Sequence, residues 1–230
     1  DVSALSPIDS INPPAQELGG TNSPHRTTNN GQLTTDNQQN LIQNPQSLAG
    51  ITILLDPGHG GAELGARGPN GYPEKDVNLV VSKLLREQLI ARGATVYMTR
   101  EDDQDVSLSD RVKMIDEVQP AIALSIHYNA LPDGGDAMNT QGIGAFWFHP
   151  QAHSLAMFLH NYLVQRLNRP SYGVFWNNLA LTRPHTTPAV LLELGFMINP
   201  MEFEWVVNPQ EQQRLAEAIA DGVTQWFATR

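Results

Sequence analysis

From Ile51 onward, short apolar runs alternate with longer segments whose apolar residues recur every three or four positions. That alternation leaves few folds open, because two-residue and 3.6-residue periods bury their faces in different ways. Ile51–Leu55, Ala94–Thr99, Ala121–Ile126, Ile143–Phe148, Asn178–Thr182 and Ala189–Leu194 read as strands. Between and after them, Val77, Val80, Val81, Leu84, Leu85 and Leu89 lie at helical spacing, and Gly93 closes that helix. Leu108–Val118 reads as a second helix, capped by Ser107 or Ser109 and followed by Pro120. Ala152–Leu167 is a third, and Leu215, Ile219, Val223 and Phe227 form one face of a last. The expected class is α/β, a single domain with a roughly six-stranded, mostly parallel or mixed sheet and helices on both faces. Strand order does not follow from this pattern.

The first fifty residues differ. Rich in Asn, Gln, Thr, Ser and Pro, residues 1–50 hold no aromatic residue and no apolar period. Such a stretch buries too little apolar surface to offset its ordering entropy and is expected to be a disordered arm or linker. Residues 51–230, about 180 of them, suffice for one domain with a full core.

Charge and composition exclude several functions. The net charge is −10; Asp1, Asp9, Glu17 and Asp36 against Arg26 give the arm −3, so residues 51–230 carry −7. No nucleic acid is expected as a partner, because binding one needs a basic footprint. No apolar run reaches membrane-spanning length. The absence of cysteine rules out a disulfide scaffold, a thiolate nucleophile and a thiolate-ligated metal. The chain begins with Asp rather than Met, and a signal peptide or a further domain is expected upstream.

In α/β sheets, sites gather beyond the carboxyl ends of strands. Polar residues just past the apolar runs are therefore the place to look. His59 follows the first run, His127 ends the third, and Glu193 closes Ala189-Val190-Leu191-Leu192. Glu74 opens the first helix, close in sequence to the His59 loop. Two imidazoles and a carboxylate suit Zn²⁺ with one position open, and a second carboxylate would take a proton from water. The bland alternative stands beside this one. A lone strand-end histidine is usually a hydrogen-bonded core or loop residue, and Glu193 would simply pair with a buried Arg100 or Arg111. His185, in a Pro-flanked loop, is a further candidate for contact with substrate or ligand. There is no Gly-x-Ser-x-Gly elbow, no P-loop and no Gly-x-Gly-x-x-Gly turn.

Five motifs occur in order: Asp56-Pro57-Gly58-His59-Gly60-Gly61, Glu74-Lys75-Asp76-Val77-Asn78-Leu79, Thr99-Arg100, Ser125-Ile126-His127-Tyr128-Asn129-Ala130, and Pro188-Ala189-Val190-Leu191-Leu192-Glu193-Leu194-Gly195-Phe196. Together they resemble the catalytic domain of the type 3 N-acetylmuramoyl-L-alanine amidases, zinc-dependent bacterial cell-wall enzymes. The resemblance implies one zinc ion on His59, Glu74 and His127, with Glu193 as the catalytic base. It also implies a peptidoglycan substrate, cut between the lactyl group of N-acetylmuramic acid and L-alanine. Arg100, Arg111, Asn129 and His185 are carried as residues near substrate or ligands. A periplasmic or other extracytoplasmic location, a monomer and a separate wall-targeting module upstream are expected with it. Tyr128 and Glu63 stand where the family often has Ala and Asp. Some members carry a blocking helix between the strand ending at the second histidine and the next strand. Here only Leu131–Gly142 intervenes, too short for such a helix with its connections, so an open site is expected.

Overall fold

Six strands assemble into one mixed sheet, its four inner strands buried and its two edge strands partly exposed. The computed structural model describes residues 47–132 and 134–230. The strands are β1 (Thr52–Pro57), β2 (Thr95–Met98), β3 (Ile122–Asn129), β4 (Ile143–Trp147), β5 (Ser171–Trp176) and β6 (Ala189–Phe196). The helices are α1 (Glu74–Ala91), α2 (Leu108–Val118), α3 (Pro150–Leu167), α4 (Pro200–Val206) and α5 (Pro209–Ala228). The sheet order is β2-β1-β3-β6-β4-β5. β2, β1, β3 and β6 run parallel, β4 is antiparallel to β6, and β5 is parallel to β4.

Alternation along the strands sorts the core into two unequal layers. Ile53, Leu55, Ile122, Leu124, Ile126, Val190, Leu192 and Leu194 face a large cluster built with α1, α3 and α5. The intervening Leu54, Ala123 and Ala189 face a small one completed by Met114, Ile115 and Val118 of α2. Among the helices, only α2 contributes to this second cluster.

Local signals set the helix ends. Ser107 caps α2 by accepting the Asp110 N–H at 3.1 Å. Asn199 and Asn208 cap α4 and α5, and Pro200 and Pro209 fill the first helical positions. α4 has no counterpart among the sequence expectations. Asn178–Thr182 is not a strand; Ala180–Thr182 forms a 3₁₀ turn, and the fifth strand is Ser171–Trp176. The Thr182 hydroxyl donates to the Asn177 carbonyl, and the Leu179 N–H donates to Thr182 Oγ1, which curls the segment locally.

Most of the expected arm lies outside the described residues, but its last residues join the domain. Leu48 is fully buried, and its N–H donates to the Arg92 carbonyl at 2.7 Å. Leu48→Ala is expected to destabilise the domain by about 2–5 kcal/mol in denaturant unfolding. Ile90→Ala, at a side chain 52% exposed, should shift it by under about 0.5 kcal/mol. Equal effects would remove Leu48 from the core.

Candidate metal centre

Three successive carbonyls at the end of β1 point inward, and two buried arginines gather them. Arg111 donates to Pro57 O (2.8 Å), His59 O (2.7 Å) and Asp56 Oδ1 (2.7 Å). Arg100 donates to Pro57 O (3.0 Å), Gly58 O (2.9 Å) and Lys75 O on the first turn of α1 (2.8 Å). The loop so held turns through His59 in the left-handed region (φ +59°), a conformation that costs an ordinary residue roughly 1–2 kcal/mol. Lys75 fastens the same loop from outside, donating to Gly61 O and Asp103. Gly58 and Gly65 have no substitute here. A Cβ on the first would collide with the His127 ring, and on the second with Glu74 and His59.

The result is a convergence of donors at the carboxyl ends of β1 and β3 and the amino end of α1. His59 Nε2 lies 3.1 Å from Glu74 Oε2, and His127 Nδ1 lies 3.1 Å from Glu74 Oε1. One ligand atom from each residue falls within 4.8 Å of the others. Donors around a tetrahedral zinc with bonds of ~2.0–2.1 Å sit roughly 3.3 Å apart, and each imidazole–carboxylate distance here is close to that. Two imidazoles and one carboxylate are also the chemistry that zinc accepts.

Glu74 is oriented on every side. Its Oε2 accepts from Ala66 N (2.8 Å), and its Oε1 from Tyr128 N (3.0 Å) and Asn78 Nδ2 (2.9 Å). Burial would raise its pKa. The hydrogen bonds and charges of His127 and His59 outweigh that and hold it well below the usual carboxylate range. For His59, burial opposes the charged form, but the hydrogen bond and charge of Glu74 win and raise the pKa.

Glu193 is the opposite case. It pairs in register with His127 across β3 and β6 and so projects from the same face of the sheet. It is buried (3% exposed), its Oε2 has no hydrogen-bond partner, and it forms no salt bridge among the described residues. Burial first, and the charge of Glu74 second, push its pKa well above the ordinary value. Arg100 and Arg111 do not pair with it; both hold the His59 loop. Asn129 ends β3 past a register shift, and its carbonyl accepts Met197 N at 3.1 Å. His185 is not part of this group. It precedes β6 and lies at the opposite edge of the sheet, its carbonyl accepting from Gln151 of α3. Lys75 and Asn78 went unassigned from sequence, although both lie within one turn of Glu74.

Fold and site define an α/β protein with three residues that could hold a metal ion at its parallel strand ends and a buried carboxylate without a partner among the described residues beside them. Residues 53–225 match the model of a family described as N-acetylmuramoyl-L-alanine amidase, and the chain belongs to that family. It is similar to a probable cell wall amidase, LytH, of Staphylococcus epidermidis, at 36% identity over 86% of this chain and 65% of that one. A Staphylococcus aureus LytH is 37% identical over 81% of this chain and 61% of its own length. The chain therefore spans less than two thirds of these relatives. Among solved structures, an N-acetylmuramoyl-L-alanine amidase from Clostridium difficile superposes with a TM-score of 0.74 at 30% identity, covering 78% of this chain and 98% of that one. The catalytic domain of CwlV, an N-acetylmuramoyl-L-alanine amidase from Bacillus (Paenibacillus) polymyxa, gives 0.72 at 28%, covering 78% and 99%.

Removing Arg111 would leave Asp56 charged and buried without its partner. Arg111→Ala is expected to cost about 3–5 kcal/mol in denaturant unfolding. It should also weaken zinc binding by roughly 10–100-fold in chelator competition. Undiminished zinc affinity in the folded variant would remove Arg111 from the support of His59.

Proposed function

We propose that this chain is a zinc-dependent N-acetylmuramoyl-L-alanine amidase. It hydrolyses the amide between the lactyl group of N-acetylmuramic acid and the L-alanine of the peptidoglycan stem peptide. The observation that carries the proposal is the meeting of His59, Glu74 and His127 with Glu193 in register beside them. Membership of the family supports the bond chosen.

In this reading His59, Glu74 and His127 are the ligands. When bound, a zinc ion supplies Lewis-acid polarisation of the scissile carbonyl and acidifies a water molecule. Glu193 takes a proton from the attacking water as the new C–O bond forms. It then delivers that proton to the amide nitrogen as the C–N bond breaks. The products are a lactyl carboxylate on the sugar and a stem peptide with a free alanine amine. Burial that raises the Glu193 pKa makes it a stronger proton acceptor than an exposed carboxylate. Arg100, Arg111 and Lys75 hold the His59 loop in place and touch no reacting atom.

Between β3 and β4 the described residues contain no helix, which supports a centre open to substrate without an activator. An enzyme acting on peptidoglycan would work outside the cytoplasm, in wall remodelling or septum splitting. An acidic chain gains no electrostatic attraction to an anionic wall, so delivery by a separate wall-targeting module fits.

The test is digestion of purified peptidoglycan. The wild type should release stem peptides with free N-terminal alanine and create no new reducing ends. Chelation should stop it, and added zinc restore it. Glu193→Gln should lower kcat by roughly 10²–10⁴-fold while retaining one zinc per chain. Alanine left on the sugar would mean a stem peptidase instead, and wall binding without cleavage would mean a binding module. A fully active Glu193→Gln would end that residue's role as base.

A further inference from the structure

Outward from Glu193 the sheet carries two positions without side chains. Glu193 pairs with Gly144 on β4, and Gly144 pairs with Gly173 on β5. The space over Gly144 is taken by Tyr172. A Cβ built on Gly144 would lie 3.3 Å from Tyr172 Cδ1 and 3.5 Å from Glu193 Cβ. The tyrosine ring and the stem of Glu193 therefore approach one point on the sheet.

A shift in register puts the ring there. Ile143 pairs with Ser171 but Gly144 pairs with Gly173, so Tyr172 is an extra residue in β5. Bulges of this kind re-aim a side chain and favour glycine at their unusual torsions; Gly173 has φ +134°. The ring is steadied edge-on by Phe196 (centroids 4.9 Å apart) and at a tilt by Phe175 (5.3 Å), yet it stays only partly buried. It is a held aromatic surface with a free portion.

Strand order then gives the ring a side of the reaction. The metal donors belong to the loop after β1, to β3 and to the start of α1, Glu193 to β6, and Tyr172 lies over β4 and β5. The base stands between the donors and the ring. With the scissile carbonyl towards the donors and the amide nitrogen towards Glu193, the chain attached to that nitrogen continues onto Tyr172. We propose that Tyr172 is a specificity-determining residue that packs against the first residues of the stem peptide. This rests on the amidase reading. A rigid aromatic face suits short apolar side chains and peptide backbone.

The experiment uses the zinc-loaded full chain and a soluble muramoyl tripeptide, with free tripeptide and free N-acetylmuramic acid as competing inhibitors. Tyr172→Ala should raise KM and the tripeptide inhibition constant by roughly fivefold, the size of a lost aromatic contact. It should leave kcat within about twofold, with zinc content and the sugar's inhibition constant unchanged. Tyr172→Phe should behave as wild type. Gly144→Ala, which sets a methyl against the ring, should raise the tripeptide constant in the same direction and serves should Tyr172→Ala not fold. An unchanged tripeptide constant, or a rise in the sugar's constant instead, overturns the assignment. A wild type that cleaves no substrate overturns the amidase reading; one that cleaves while the variants bind tripeptide normally overturns only the role of Tyr172.

Discussion

The centre depends on two buried guanidinium groups that hold one turn of backbone. Burying a cation is costly unless its donors are matched. Arg100 and Arg111 meet that condition mainly with main-chain carbonyls: Pro57, Gly58, His59, Lys75, Asp102 and Val106. Asp56 adds the one carboxylate, on Arg111. Burial and the neighbouring Arg111 lower the Arg100 pKa, but a guanidinium remains charged in a protein. These contacts fix three consecutive peptide planes. They allow His59 to keep a positive φ that an unsupported loop would relax.

Sheet direction supplies the second constraint. β1, β3 and β6 are parallel, so their carboxyl ends share an edge, and His59, His127 and Glu193 arrive there together. β4 and β5 run the other way, so their amino ends meet that edge. This is why Gly144 and Tyr172 stand beside Glu193, while Trp147 and Trp176 end up at the far side. It also separates His185, at the amino end of β6, from the centre it was expected to join.

Much of this was legible, for identifiable reasons. α2 begins and ends where Ser107 and Pro120 predicted, because a capping hydroxyl and a break in period are local signals. His127 and Glu193 were visible because an ionisable residue closing an apolar run is rare. Their pairing was not, since register is set by partners distant in sequence. β5 was misplaced because Gly173 interrupts its pattern, while Leu179 to Thr182 imitates a strand's alternation. α4 does carry a local signal: Asn199, Pro200 and Glu202 are cap, first position and first-turn acid. Arg100 and Arg111 were expected near substrate or paired with Glu193. That their partners are carbonyls cannot be read from a sequence, in which every residue carries one.

The two buried carboxylates lie in opposite environments. Glu74 accepts three N–H groups and lies against two imidazoles, so its charged form is stabilised throughout. Glu193, on the neighbouring strand and nearly as buried, has an oxygen with no partner and feels the charge of Glu74. Their environments move their pKa values in opposite directions, the pattern that separates a fixed anion from a group that exchanges protons. The difference comes from position alone. Glu74 sits at a helix start, where Asn78 lies one turn on and the backbone N–H groups of Ala66 and Tyr128 reach it. Glu193 sits inside a strand whose N–H groups are committed to the sheet, with glycine as its neighbour on β4. The hydrogen-bond count around each carboxylate, more than its identity, therefore sets which one is held as an anion.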